Sequence, residues 1–144
     1  MVDKGIERRL CQRFKIPGAT VSYRKERFLI AEGRFIEEFC PVLDLSRGGV
    51  RFLTQKPLKF KSKVSLQVSI PGERIPLNLR GRVRWSTFNA GKSYKYQAGV
   101  QFNPYGEDKI QNYPGVLVKI IALEQKFLEA EGPGSADKAD GMAV

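Results

Sequence analysis

Lys63-Val64-Ser65-Leu66-Gln67-Val68-Ser69-Ile70 decides the fold. Val64, Leu66, Val68 and Ile70 fall on one side of an extended chain; Lys63, Ser65, Gln67 and Ser69 fall on the other. A period of two fits a half-buried β-strand and not a helix. Pro71-Gly72-Glu73 then breaks the run as a turn. Past it, Leu77, Leu79, Gly81, Val83 and Trp85 take alternate positions opposite Asn78, Arg80, Arg82 and Arg84. Ala19–Tyr23, Phe39–Leu45, Val50–Leu53 and Tyr94–Phe102 also read as extended segments, the last preceded by a loop at Asn89–Ser93. Gly48-Gly49, which accepts positive φ, reads as the tight turn before Val50. About six short strands at this spacing predict an antiparallel barrel or sandwich. Strand phase places Trp85 in its core with Phe52, Val100 and Phe102, and leaves Arg80, Arg82 and Arg84 outside as a solvated stripe.

After Phe102 the period changes. Pro114 suits the first position of a helix. Val116, Leu117, Ile120, Ile121, Leu123, Phe127 and Leu128 then recur every three or four residues and make one apolar face. The sequence therefore divides into a flexible basic arm (1–18), a barrel (19–103), a helical region packing on it (104–130) and a tail (131–144). The tail is too poor in apolar groups to order itself. Pro17-Gly18 ends the arm, which is expected to have little to pack against until a ligand orders it.

Length and composition narrow the chemistry. The 144 residues suit one domain. No apolar run approaches the roughly 20 residues that span a bilayer, and Met1–Gly5 lacks the apolar stretch of a secretory signal. Histidine is absent, which removes Ser-His-Asp and Cys-His catalysis and His-ligated metals. Cys11 and Cys40 cannot close a zinc site by themselves and read as free thiols in a reducing cytoplasm. No catalytic residue, metal or cofactor is expected. The net charge of +10 is uneven: residues 105–144 carry 4 Lys/Arg against 7 Asp/Glu, leaving 21 against 8 before them. A basic body calls for an anionic partner.

Two segments suggest which anion. Glu7-Arg8-Arg9-Leu10-Cys11-Gln12-Arg13-Phe14 offers guanidinium forks at Arg9 and Arg13, and Asp44-Leu45-Ser46-Arg47-Gly48-Gly49 offers a carboxylate, a hydroxyl and a glycine turn. Each is weak alone, since R-x-x-x-R arises by chance in a basic chain and D-x-S-x-x-G often marks only a turn. In order, with Gly81-Arg82-Val83-Arg84-Trp85 and Gly99-Val100-Gln101-Phe102 after them, they resemble the PilZ domain, the bacterial module that binds cyclic di-GMP. The resemblance spans roughly residues 7–125. It implies a six-stranded antiparallel β-barrel with a C-terminal helix.

The resemblance also implies roles. Arg9 and Arg13 would clamp the ligand, since an arginine fork donates paired bonds to phosphate or to the guanine O6/N7 edge and stacks on bases. Asp44 would accept from guanine N1–H and N2–H, and Ser46 would add a further bond. Gly49 would admit close backbone approach and Gly48 would serve the turn. Arg8, just before the motif, is in the position associated with an intercalated ligand pair. Arg47 and Arg51 flank the turn and would add attraction. The expected protein is a cytoplasmic, non-enzymatic cyclic di-GMP receptor that orders its arm on binding and signals to an unidentified downstream protein. Motility and biofilm formation are among the outputs the family serves. The alternatives are a basic barrel binding single-stranded nucleic acid through the arginine stripe and aromatics, a partner not favoured because it leaves Asp44 and Ser46 unexplained, and an adaptor that kept the fold and lost the ligand.

Overall fold

The structure, a computed structural model, describes residues 12–26, 33–90 and 93–130. Six strands form a closed antiparallel barrel in the order β1-β2-β3-β6-β5-β4. They are β1 (Thr20–Lys25), β2 (Glu37–Ser46), β3 (Gly49–Thr54), β4 (Lys63–Ser69), β5 (Leu77–Phe88) and β6 (Tyr96–Phe102). Closure removes unpaired edges. The inward face expected in Lys63–Ile70 is borne out, as Val64, Leu66, Val68 and Ile70 are buried, although Ser65 on the other face is buried too; across β5, Leu77, Leu79 and Val83 are buried. Tyr23, Val21, Leu45, Val50, Phe52, Ala98, Val100 and Phe102 complete the interior.

The helix among the described residues, α1 (Pro114–Ala130), starts at the proline the sequence marked. Ile120 and Leu123 join the barrel core, with Val116, Phe127 and Leu128 packed against it. Within the expected helical region 104–130, residues 104–113 before that proline form a loop. Asn112 explains why. It is 3 % exposed; its Oδ1 accepts from Arg80 N at 2.7 Å, and its Nδ2 donates to the Arg80 and Asn103 carbonyls, both at 3.0 Å. The side chain thus takes over the pairing of β5 where β6 has ended, while Asn112 N donates to the Pro104 carbonyl at 2.8 Å and Gly106 N to the Asn112 carbonyl at 3.0 Å, a pairing that no helix makes.

The arm departs from expectation at its far end. Phe14 and Ile16 are 2 % and 4 % exposed, and Phe14 exchanges two backbone hydrogen bonds with Leu45, both at 2.9 Å. Phe14 and Ile16 therefore belong to the barrel core, with Phe14 paired to β2. Arg8, Arg9 and Cys11, and the tail 131–144, lie outside the described residues.

Candidate ligand site

Two irregularities in the ladders build the site. In β2, Val42 faces Phe52 but Asp44 faces Arg51, so one extra residue sits between them. Such a bulge re-aims the side chains that follow it. Leu45 then points inward beside Val50, and Asp44 points out beside Arg51. In β5, Val83 faces Val100 while Trp85 faces Gly99, a second bulge at Arg84. It throws Trp85 out of the phase of Leu79 and Val83. Its assignment to the core is therefore corrected: the indole is half-buried on the outer face, lying over Gly99, where a Cβ would collide with the ring.

The two outward faces meet in a cleft of about 390 Å³, lined among others by Arg13, Ser46, Gly49, Arg51, Arg84 and Trp85. That volume is in the range of small-molecule sites. Asp44 lies under it rather than on its wall. Its carboxylate is 6 % exposed, held by Arg13 Nη1 on Oδ1 at 3.1 Å and by Arg51 on Oδ2, with Nε at 2.7 Å and Nη2 closer. The bond to Asp44 pushes the Arg51 guanidinium above its ordinary pKa, against the opposing effect of burial.

Ser46 is committed to the turn. Its Oγ accepts from Gly48 N at 3.2 Å and donates to the Gly49 carbonyl at 3.4 Å. Neither Gly48 nor Gly49 has a positive φ, so the two-residue turn between β2 and β3 closes without the left-handed conformation expected for it. Gly49 is required for another reason: a Cβ there would come within 2.5 Å of the Val100 carbonyl. The close approach is to β6. The Gly48 carbonyl accepts from Phe102 N at 2.8 Å, tying the turn to the same strand.

Arg47 points away from the cleft. Nε and Nη2 donate to the Glu124 carboxylate on α1 at 3.1 and 3.0 Å, and its carbonyl accepts from Tyr105 Oη at 2.7 Å. The turn is thereby fastened to the helix. Arg84 reaches Gln101 Oε1 at 2.6 Å on the cleft rim. Arg82 and Arg84 are exposed as the alternation required, while Arg80 is only part-exposed. Cys40 is buried; burial first and the Glu37 charge second push its thiol up to about 12, which disfavours the thiolate a nucleophile needs.

Of the expected residues, Arg13, Asp44, Ser46, Gly48 and Gly49 come together, whereas Arg8 and Arg9 lie outside the described residues. Trp85, Arg84, Gly99 and Gln101 line the cleft without having been singled out for it. No signal in the sequence marks them, because Gly99 faces Trp85 only in the register that the bulge at Arg84 creates.

Comparison with known proteins places these observations in a family. The family model for the PilZ domain matches residues 7–113. Among solved structures, the Bacillus subtilis inhibitor of motility MotI/DgrA superposes with a TM-score of 0.54 at 14 % identity, over 83 % of this chain and 50 % of that one. The chain thus spans half the length of that protein, and the likeness is one of fold. A search of curated proteins finds no match. With nearly three quarters of its length under the family model, a barrel of the expected topology and the motif residues gathered at one cleft, the chain belongs to the PilZ domain family.

Proposed function

We propose that this protein is a cyclic di-GMP receptor that passes ligand occupancy to a partner protein. The observation that carries the reading is the arrangement of Arg13, Asp44 and Arg51 beside Trp85 in one outward cleft. It combines a cationic fork for phosphate at Arg13, a carboxylate for guanine N1–H and N2–H held in place by Arg51, and an aromatic plane for a base. Arg9, four residues before Arg13, supplies a second fork in this reading. Arg8 adds a third where a stacked ligand pair carries more phosphate charge. Ligand would draw residues 8–13 over the cleft, favouring one of two states of the arm by its differential affinity. The altered surface is then what a partner reads, in a cytoplasmic pathway such as motility or biofilm control. The established role of the family is that of a receptor or adaptor, and the proposed mechanism needs no catalysis.

Isothermal titration with cyclic di-GMP tests the reading. A charge-assisted hydrogen bond contributes roughly 1.5–3 kcal/mol, so deleting a two-bond fork costs about a hundredfold or more in affinity at ~1.4 kcal/mol per tenfold. Arg9→Ala and Arg13→Ala should each show that loss. Binding unchanged in both variants would remove the motif from the site. Tight, salt-sensitive retention of an oligonucleotide that cyclic di-GMP does not compete away would favour a nucleic-acid barrel instead.

A further inference from the structure

The carboxylate that would read guanine is already occupied, and unequally so. Arg13 makes a single bond to Asp44 Oδ1 at 3.1 Å and keeps 57 % of its side chain exposed. Arg51 places both Nε and Nη2 on Oδ2, is less exposed at 36 %, and is cross-strand partner of Asp44 in the ladder. A carboxylate oxygen has about two lone pairs, so Arg51 alone fills Oδ2 while Arg13 leaves Oδ1 room.

We infer that Arg51 is the positioning residue for base recognition and Arg13 the exchangeable one; the inference rests on the cyclic di-GMP reading above. Arg13 leaves Oδ1 for a ligand phosphate, and guanine N1–H takes its place there. Arg51 remains, its two bonds to Oδ2 fixing the plane in which Oδ1 is offered to the base. Without Arg51 the carboxylate keeps Arg13 as its counter-ion, so one fork is withheld from phosphate and no oriented acceptor is offered to the base. Adenine has an acceptor at N1 where guanine has a donor, and cannot present the paired N1–H and N2–H donors that an oriented carboxylate accepts. Arg51 therefore sets the preference for guanine over adenine through Asp44, without touching the ligand. A site built around a hydrogen bond discriminates against the analogue that cannot make it.

The test compares cyclic di-GMP with cyclic di-AMP by calorimetry on the full chain, with melting temperatures measured alongside. Arg51→Ala should lose at least tenfold in affinity for the guanine ligand and little for the adenine one, so the selectivity ratio falls about tenfold. Arg51→Lys keeps the charge without the fork; it should melt near the unsubstituted protein yet retain the lowered ratio. In an Asp44→Ala background, Arg51→Ala should change cyclic di-GMP affinity by less than about threefold, because its effect runs through the missing carboxylate. A selectivity ratio unchanged in Arg51→Ala, full selectivity in Arg51→Lys, or a further large loss in the double variant would each overturn the assignment. Failure of the unsubstituted protein to bind cyclic di-GMP would instead overturn the reading of the site, and this inference with it.

Discussion

Asp44 shows how one side chain depends on several neighbours. With its side chain only 6 % exposed, it is tolerable as a charge because two guanidinium groups hold it. Gly49 shows the converse, a residue that matters for what it lacks. Gly49→Ala puts a methyl group 2.5 Å from the Val100 carbonyl, and backbone on both strands must move. Overpacking of this kind costs roughly 1–3 kcal/mol. The variant should melt several degrees lower by circular dichroism even without ligand. An unchanged melting temperature would return Gly49 to the role the motif first implied, that of making room for a ligand.

At the scale of the elements, two bulges and one fastening matter most. Regular alternation was legible in the sequence: Lys63–Ile70 and Leu77–Val83 could be placed facing inward from residue types alone, and Pro114 located the helix start. A bulge leaves no such mark, because an extra residue shifts the phase without changing the composition. Trp85 was misplaced for that reason, and the pairing of Arg51 with Asp44 could not be read before the register was known. The motif positions 13, 44, 46, 48 and 49 were legible as a group, although what Ser46 and Gly49 touch was not. The fastening of the turn to α1 was hidden as well, since Arg47 and Glu124 are 77 residues apart. Glu124→Gln leaves the half-buried Arg47 facing a neutral amide. With Arg47 28 % and Glu124 10 % exposed, a loss of about 1–2 kcal/mol is expected, below the full value of a charged hydrogen bond. Chemical denaturation would measure it, and a midpoint equal to that of the unsubstituted protein would show the link to be idle.

The whole molecule carries an alkaline limit in its core. Cys40 is pushed from an ordinary 9.0 to about 12 by burial and then by Glu37. Tyr23 is raised beyond the usual phenol range by burial and then by its hydrogen bond to Glu37. Both groups are neutral in the fold and ionise first in the unfolded chain. Their stabilisation is complete below about pH 9 and declines as pH rises from 9 toward 12. Urea melts between pH 8 and pH 11 should show that decline. Cys40→Ala should flatten the thiol's share of the slope, whatever its effect at neutral pH; an identical slope would locate the alkaline sensitivity elsewhere.

The bulge at Arg84 also has a practical consequence. Trp85 is the sole tryptophan of the chain, and that bulge has set it on the wall of the cleft rather than inside the barrel. The protein therefore contains its own optical probe at the place where a guest would arrive. Excited near 295 nm, the indole emission should quench or shift on addition of cyclic di-GMP and saturate at the stoichiometry found by calorimetry. Emission that stays constant while heat is released would mean that the guest settles away from the ring.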